Sequence, residues 1–319
     1  MPYSLADTLP VTPELAEPVN AYGAYLNASM HLPDLHARLD LSGQGVTALT
    51  LSANLVYGTE RLNLRGNPLG SVPEGLRELV GLKDLDLSST GLSTLPDWLW
   101  SHTDLETLNL AENALTSIGD GIGQLRHLRM LDLGHNALTS LPDALGDLAR
   151  LSDYLYLSHN QLGRFPEFLG QLGRLKYLNV THNGLGALPA AIGGLASLRE
   201  LRLYDNQLVT LPDAIGALAN LRELHLSNNA LEVLPAAIEQ LSSLRILDLR
   251  NNRVRQLPDR LDRLTDLAYL DLRNNRFSVL PPTLAELPGL QKLDLRWNKL
   301  DVVPGWVDDL ERRGCAVLL

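Results

Sequence analysis

The chain repeats itself at a fixed interval. Equivalent leucines open units at Leu82, Leu105, Leu128, Leu151, Leu175, Leu198, Leu221, Leu244, Leu267 and Leu290; every step is 23 residues except Leu151 to Leu175, which is 24. "RLNLRGNPLGSVP" carries the pattern back to position 59 and the degraded "RLDLSGQGVTAL" to position 36, giving about twelve units. At 319 residues an ordinary chain suggests about two globular domains. A period of this length overrides that inference, because units too small to bury their own apolar face must stack on their neighbours around one elongated core.

The unit reads LxxLxLxxNxLxxLPxxIxxLxx. Its LxL step alternates with polar residues at period two, the pattern of a short strand with one buried face. An asparagine follows in almost every unit (Asn67, Asn113, Asn136, Asn160, Asn183, Asn206, Asn229, Asn252, Asn275, Asn298), with Gln44 and Thr90 as exceptions. At the end of a strand such a side chain bonds the backbone groups that the bend would orphan. The Leu-Pro step, as at Leu141-Pro142, starts the return limb with proline at the first position of a helical turn. The apolar i, i+3 pair that follows, as at Ile215 and Leu218, fits a short helix or 3₁₀ segment. The expected fold is an α/β solenoid, a horseshoe with a parallel concave sheet about 55 Å long at the usual strand spacing and short helices or 3₁₀ turns on its convex side.

The divisions expected are an N-terminal extension or cap over residues 1–38, the repeat over 39–312, and a capping strand over 313–319. The first segment carries Pro10, Pro13 and Pro18, with a helix expected around 18–30. At the other end "PGWVDDLERRGCAVLL" reads as a helix ending at Gly314, with Trp306 sealing the last core layer and Cys315 as a cap residue. The repeat resembles the leucine-rich repeat family in its 23-residue LPxxIxxL form, found in intracellular Ras-signalling and Scribble-like proteins and in many bacterial ones. The resemblance covers residues 39–312 and implies partner binding.

Composition narrows the functional class. The net charge of −10 and pI near 5.3 argue against nucleic acid or an anionic membrane as the main partner. The charge is uneven: residues 245–319 hold 13 Lys and Arg against 11 Asp and Glu, leaving 14 against 26 in residues 1–244. The lone Cys315 excludes an internal disulfide framework and favours a reducing compartment. The first residues lack a basic-then-apolar leader and no apolar run reaches membrane-helix length, so the expected location is cytoplasmic, or a host cell reached by specialised secretion. "NAS" at Asn27 and "NVT" at Asn179 match the glycosylation pattern but, without export, carry no modification.

Residues between and just after the strand leucines face outward on the concave side, and they form columns when the units are aligned. Two patches emerge. Tyr154, Tyr156, Tyr177 and Tyr204, flanked by His135, His159 and His182, make an aromatic patch suited to protein recognition. Asp248/Arg250, Asp271/Arg273 and Asp294/Arg296 make a charged lattice that ends beside Trp297, and these arginines with Arg202 and His225 complete the candidate partner-binding set. Asp and Arg on adjacent strands can equally pair with each other and keep the face soluble. The histidines, with no carboxylate or cysteine to complete a tetrahedral set, are not expected to hold a metal, and no cofactor is implied. No nucleophile elbow, phosphate loop, zinc-protease motif or kinase loop set occurs. The expectation is a non-catalytic, monomeric scaffold that binds a protein on its concave face. The alternative is the recognition arm of a bacterial effector, or of a kinase, GTPase or ubiquitin-ligase system with its catalytic domain elsewhere. The extra residue between Leu151 and Leu155 is expected to make a bulge that re-aims a side chain where Tyr154 and Tyr156 join the aromatic patch.

Overall fold

The computed structural model describes residues 24–25, 37–51 and 53–319. Thirteen parallel strands form one open sheet. Twelve come from the repeat, beginning with β2 (Arg38–Asp40) and β4 (Arg61–Asn63) and ending with β14 (Lys292–Asp294). The thirteenth, β15 (Ala316–Leu318), closes the C-terminal edge. Each strand is only three residues long, and each pairs with its neighbour at the same position of the unit. A single register therefore runs the length of the sheet, so every sequence column is a physical row of side chains one strand spacing apart.

The consensus leucines supply a continuous core. In the unit opening at Leu128 the apolar set Leu128, Leu131, Leu133, Leu138, Leu141, Leu145 and Leu148 is buried throughout. Burying one such side chain contributes about 1.5–3 kcal/mol, none of it available to an isolated unit whose neighbours are missing. The asparagines hold the bends. Asn206 donates to the carbonyls of Leu203 in its own unit and Val180 in the previous one, at 2.9 and 3.0 Å, and accepts from the Leu185 amide at 3.0 Å. The same set recurs at Asn252 and Asn275. Each asparagine thus fastens two consecutive turns.

The return limbs are 3₁₀ turns, from Glu74–Glu78 to Pro282–Glu286. Proline stands one residue before the turn rather than at its first position. Pro142, at φ −71° and ψ 143°, is still extended, and its carbonyl accepts from the Leu145 amide at 3.0 Å. Successive turns pack so closely that a Cβ on Gly170 would strike the Ala191 backbone. One departure is matched across units. Trp100 is buried where the next five units carry glycine, and Gly119 and Gly121 of the next unit lie against its ring, a Cβ on Gly121 overlapping it outright. Gly121 is thus the residue that makes room for the indole, while a Cβ on Gly119 would meet the ring at ordinary contact distance, 3.4 Å.

At the C-terminus a short helix (Val307–Arg312) turns at Gly314 (φ +89°) into β15. Trp306 packs partly buried on the core. Cys315 is buried, and desolvation raises its thiol pKa. The helix expected around 18–30 falls outside the described residues except at Ala24–Tyr25, which is instead a strand, β1, pairing in parallel with β3 (Leu49–Thr50). Among the described residues no helix is long and apolar enough to cross a membrane.

Candidate functional site

The middle of the concave sheet gathers three of the four selected tyrosines. Tyr154 and Tyr156 lie on β8 (Tyr154–Tyr156) and Tyr177 on β9 (Tyr177–Asn179). Their ring centroids are 4.9 Å apart for Tyr156 and Tyr177, 5.6 Å for Tyr154 and Tyr177, and 5.9 Å for Tyr154 and Tyr156. Arg202 places its guanidinium 5.4 Å from the Tyr177 centroid, a cation–π contact from the next strand. These neighbours cover Tyr177, which is 9% exposed while Tyr154 is 40% exposed. Tyr177 is therefore the support of the cluster rather than part of its contact surface. Burial raises the hydroxyl pKa of both Tyr177 and Tyr156.

The histidines form a separate stack along one edge of the concave face. His135, His159 and His182 lie ring on ring, with centroids 4.0 Å apart and planes within 17°. Tyr204 joins this row and not the tyrosines, standing edge-on to His182 at 6.0 Å. All three histidines have φ of 53°, the left-handed conformation shared by their whole column. Stacked rings carry their nitrogens in parallel planes, an arrangement that does not converge on a metal. His159 has a lowered pKa through burial and the neighbouring His182 and His135. At the C-terminal end of the row His182 Nε2 reaches Asp205 at 3.4 Å.

The extra residue is absorbed before the strand. In the regular units the residues one and two places after the first leucine both donate to one carbonyl of the preceding unit, as Arg129 and Met130 do to Glu106. In the irregular unit Ser152 and Asp153 do so to Arg129, so the added residue falls between this bond pair and the strand, and Lys176 then bonds the Ser152 carbonyl. The expected bulge does not enter the strand: β8 stays in register, with Tyr154 paired to Met130 and Tyr177. The tyrosines are not re-aimed. What the insertion moves is Asp153, whose carboxylate bridges Arg129 at 2.7 Å and Lys176 at 3.3 Å; together they hold its pKa down against desolvation.

On the N-terminal side of the tyrosines lies an open pocket of about 400 Å³, walled by Tyr154, Tyr156 and Met130 and floored by Asp84, Asp86, Asn109 and Asp132. Asp84 pairs with Arg61 at 2.8 Å, whereas Asp86 and Asp132 make no ion pair among the described residues. Burial, aided by the charge of Asp86, raises the Asp132 pKa.

The lattice in the last three units is largely self-neutralised. Arg273 bonds Asp271 at 2.6 Å, Arg296 bonds Asp294 at 2.7 Å, and Arg250 approaches Asp248 at 3.4 Å. Most pairs lie within one unit, and only Arg273 to Asp294, at 3.3 Å, crosses the ladder. Trp297 is 70% exposed, with the Arg296 guanidinium 5.6 Å from its ring. His225 pairs with Glu223 at 3.1 Å, and with Glu200 these form a juxtaposition that the columns did not reveal, their ligand atoms within 4.8 Å of one another. Glu200 is already engaged by Arg202 at 2.6 Å.

Family models match the repeat directly: a leucine-rich repeat region over residues 104–232, leucine-rich repeats over 242–300 and 265–312, and a two-copy repeat over 219–263. A leucine-rich repeat protein of Leptospira interrogans is 35% identical, covering 88% of this chain and 72% of its own, with a TM-score of 0.83. The chain belongs to the leucine-rich repeat family. An internalin of Listeria monocytogenes shares the fold at 19% identity and a TM-score of 0.71, over 90% of this chain and 87% of its own. The plant peptide hormone receptor RGFR1, solved in complex with RGF2, is 26% identical with a TM-score of 0.62 over 88% of this chain, which spans about half that receptor (48%). No curated protein matches the chain.

The leucine-rich repeat frame separates structural side chains from the rest. Four places after the first leucine, nine of twelve units carry Asp or Asn, and each accepts from the amide two residues on, as Asp132 does from Gly134 at 2.9 Å. The aspartates of the lattice therefore cap strand ends as well as pairing with arginine. Three units give up this bond: those with Tyr156, Arg202 and His225. All three lie in the middle of the sheet, around Tyr177.

Proposed function

We propose that this leucine-rich repeat protein is a non-catalytic scaffold that binds an extended protein segment across the middle of its concave face, with Tyr154, Tyr156 and Tyr204 as contacts and Tyr177 and Arg202 as their support. One observation carries the reading: Tyr156, Arg202 and His225 replace the side chain that the backbone uses in the other nine units, so the fold itself gives no reason for them. Clustered tyrosines offer much contact area at low entropic cost. The imidazole row borders the same surface. The adjoining pocket has Arg38 and Arg61 at its far end, but its aromatic end, where Asp86 and Asp132 make no ion pair among the described residues, favours a partner segment that presents a lysine or arginine. RGFR1, a receptor of the same fold whose name is that of a peptide-hormone receptor, offers a parallel. The lone buried Cys315 fits a cytoplasmic monomer. A role as the recognition arm of a larger enzyme would use the same surface.

Selection from a displayed random-peptide library tests this. Wild type should enrich sequences with a basic residue near an apolar one, and Tyr156→Ala/Tyr177→Ala/Tyr204→Ala should lose them while circular dichroism shows the solenoid intact. Equal recovery of the same sequences by both proteins rejects the concave tyrosines as the site.

A further inference from the structure

A second surface lies on the edge of the last three units. Nine places after the first leucine, every unit from Gly91 to Ala230 carries Gly, Ala or Gln; the last three carry Arg253, Arg276 and Lys299. Arg255 stands beside them, and all four cations are exposed. Among the described residues none of the four side chains makes an ion pair, in contrast to Arg250, Arg273 and Arg296, which aspartates neutralise a few residues away. Three of them, Arg255, Arg276 and Lys299, line an open groove of about 820 Å³ that also exposes Trp297 and Val279, at 70% and 67%. Asp301 is the one acid in its lining.

Trp297 is the second anomaly. It stands in the left-handed column at φ 60°, where most other units place His, Asp or Asn. Those residues tolerate this conformation, whereas a bulky side chain is strained there. Burial does not explain the indole, since most of it faces solvent. Strain held at an exposed aromatic beside unpaired cations has the form of a binding site.

We infer that this edge docks an acidic protein segment carrying an aromatic or large apolar side chain, whose carboxylates meet Arg255, Arg276 and Lys299 while its apolar group packs on Trp297 and Val279. A long polyanion is disfavoured. The chain carries −10 overall, and the cationic edge is only three units wide, flanked by the aspartates of the sheet and by Asp308, Asp309 and Glu311 of the cap. The site is separate from the concave tyrosines and stands independently of them.

Fluorescence polarisation with a labelled peptide of alternating Glu and Asp around one Phe, against its Gln/Asn counterpart, tests the inference on the full chain. The acidic peptide should bind saturably and more weakly as salt rises. Arg276→Glu/Lys299→Glu should weaken it by about tenfold or more, and Trp297→Asn, which suits the left-handed backbone, by about fivefold. Tyr156→Ala/Tyr177→Ala/Tyr204→Ala should leave it unchanged. The inference is overturned by no saturation below roughly 1 mM at low salt, by equal binding to Arg276→Glu/Lys299→Glu, or by an oligothymidine that binds the same residues more tightly than the peptide.

Discussion

The middle units and the last three share one backbone and use it differently. In the last three, the aspartate four places along both caps its strand and holds an arginine: Asp294, 1% exposed, bonds Arg296 and is approached by Arg273. In the middle, Tyr156, Arg202 and His225 do neither, and their ring and guanidinium groups pack on Tyr177 or pair with glutamates. The difference teaches where to look in a repeat protein. A column explained by the backbone carries no information about a partner, and positions that abandon that explanation together are the ones selected for something else.

If the frame is truly common, damage to it must cost the same in both regions. Asn160→Ala and Asn252→Ala each strip a pair of buried carbonyls and a buried amide of their partner. Each should lose about 2–3 kcal/mol in urea unfolding, the scale of several orphaned backbone groups partly rescued by water. A large inequality between the two would show that the units are not interchangeable supports.

The carboxylates should separate where the asparagines do not. Burial pushes Asp294 up, but the hydrogen bonds and charges of Arg296 and Arg273 outweigh it, and its pKa is lowered. Its contribution is therefore complete above the unfolded value near 3.9 and is lost as pH falls through the lower folded value. Asp132, raised by burial, has the opposite sign: it costs stability at neutral pH and the cost vanishes on protonation. Asp294→Ala should cost about 1–2 kcal/mol at pH 7, and Asp132→Asn should gain a few tenths of a kcal/mol. Thermal unfolding in which Asp132→Asn is the more damaging of the two would break the contrast.

Much of this was legible in the sequence because it recurs. The leucine and asparagine columns repeat up to twelve times, and each repetition confirms the period and the buried face. Pairings that occur once were not. Tyr177 looks as exposed as Tyr154 in a column, yet is buried because Arg202 of the next unit leans over it. Gly121 reads as a plain exception until Trp100, one unit earlier, fills the space beside it. The extra residue predicted a bulge, but the displaced side chain is Asp153, because strand pairing holds Tyr154 and Tyr156 in register and leaves the preceding loop to yield. The lattice aspartates were read for their charge, while their constant bond to the amide two residues on marks them as strand caps first.

The smallest effect expected belongs to the imidazole row. His159 sits between His135 and His182 at 4.0 Å on either side, so its protonation is opposed by desolvation and by any charge on its neighbours. A base whose folded pKa is lowered takes up its proton more readily when unfolded. Stability is then complete above the unfolded value near 6.5 and declines as pH falls toward the folded value. This is the reverse of a histidine that gains an acidic partner. Because His159 is exposed, solvent screens the interaction and the decline should amount to only a few tenths of a kcal/mol. His159→Asn keeps a residue tolerant of the left-handed backbone and removes the titrating ring, so its unfolding free energy should be flatter than wild type between pH 7 and 5.5, roughly the range in which a histidine titrates. A variant whose stability falls as steeply as wild type would place the proton sensitivity elsewhere, with the buried His102, whose pKa desolvation also lowers, as the next position to substitute.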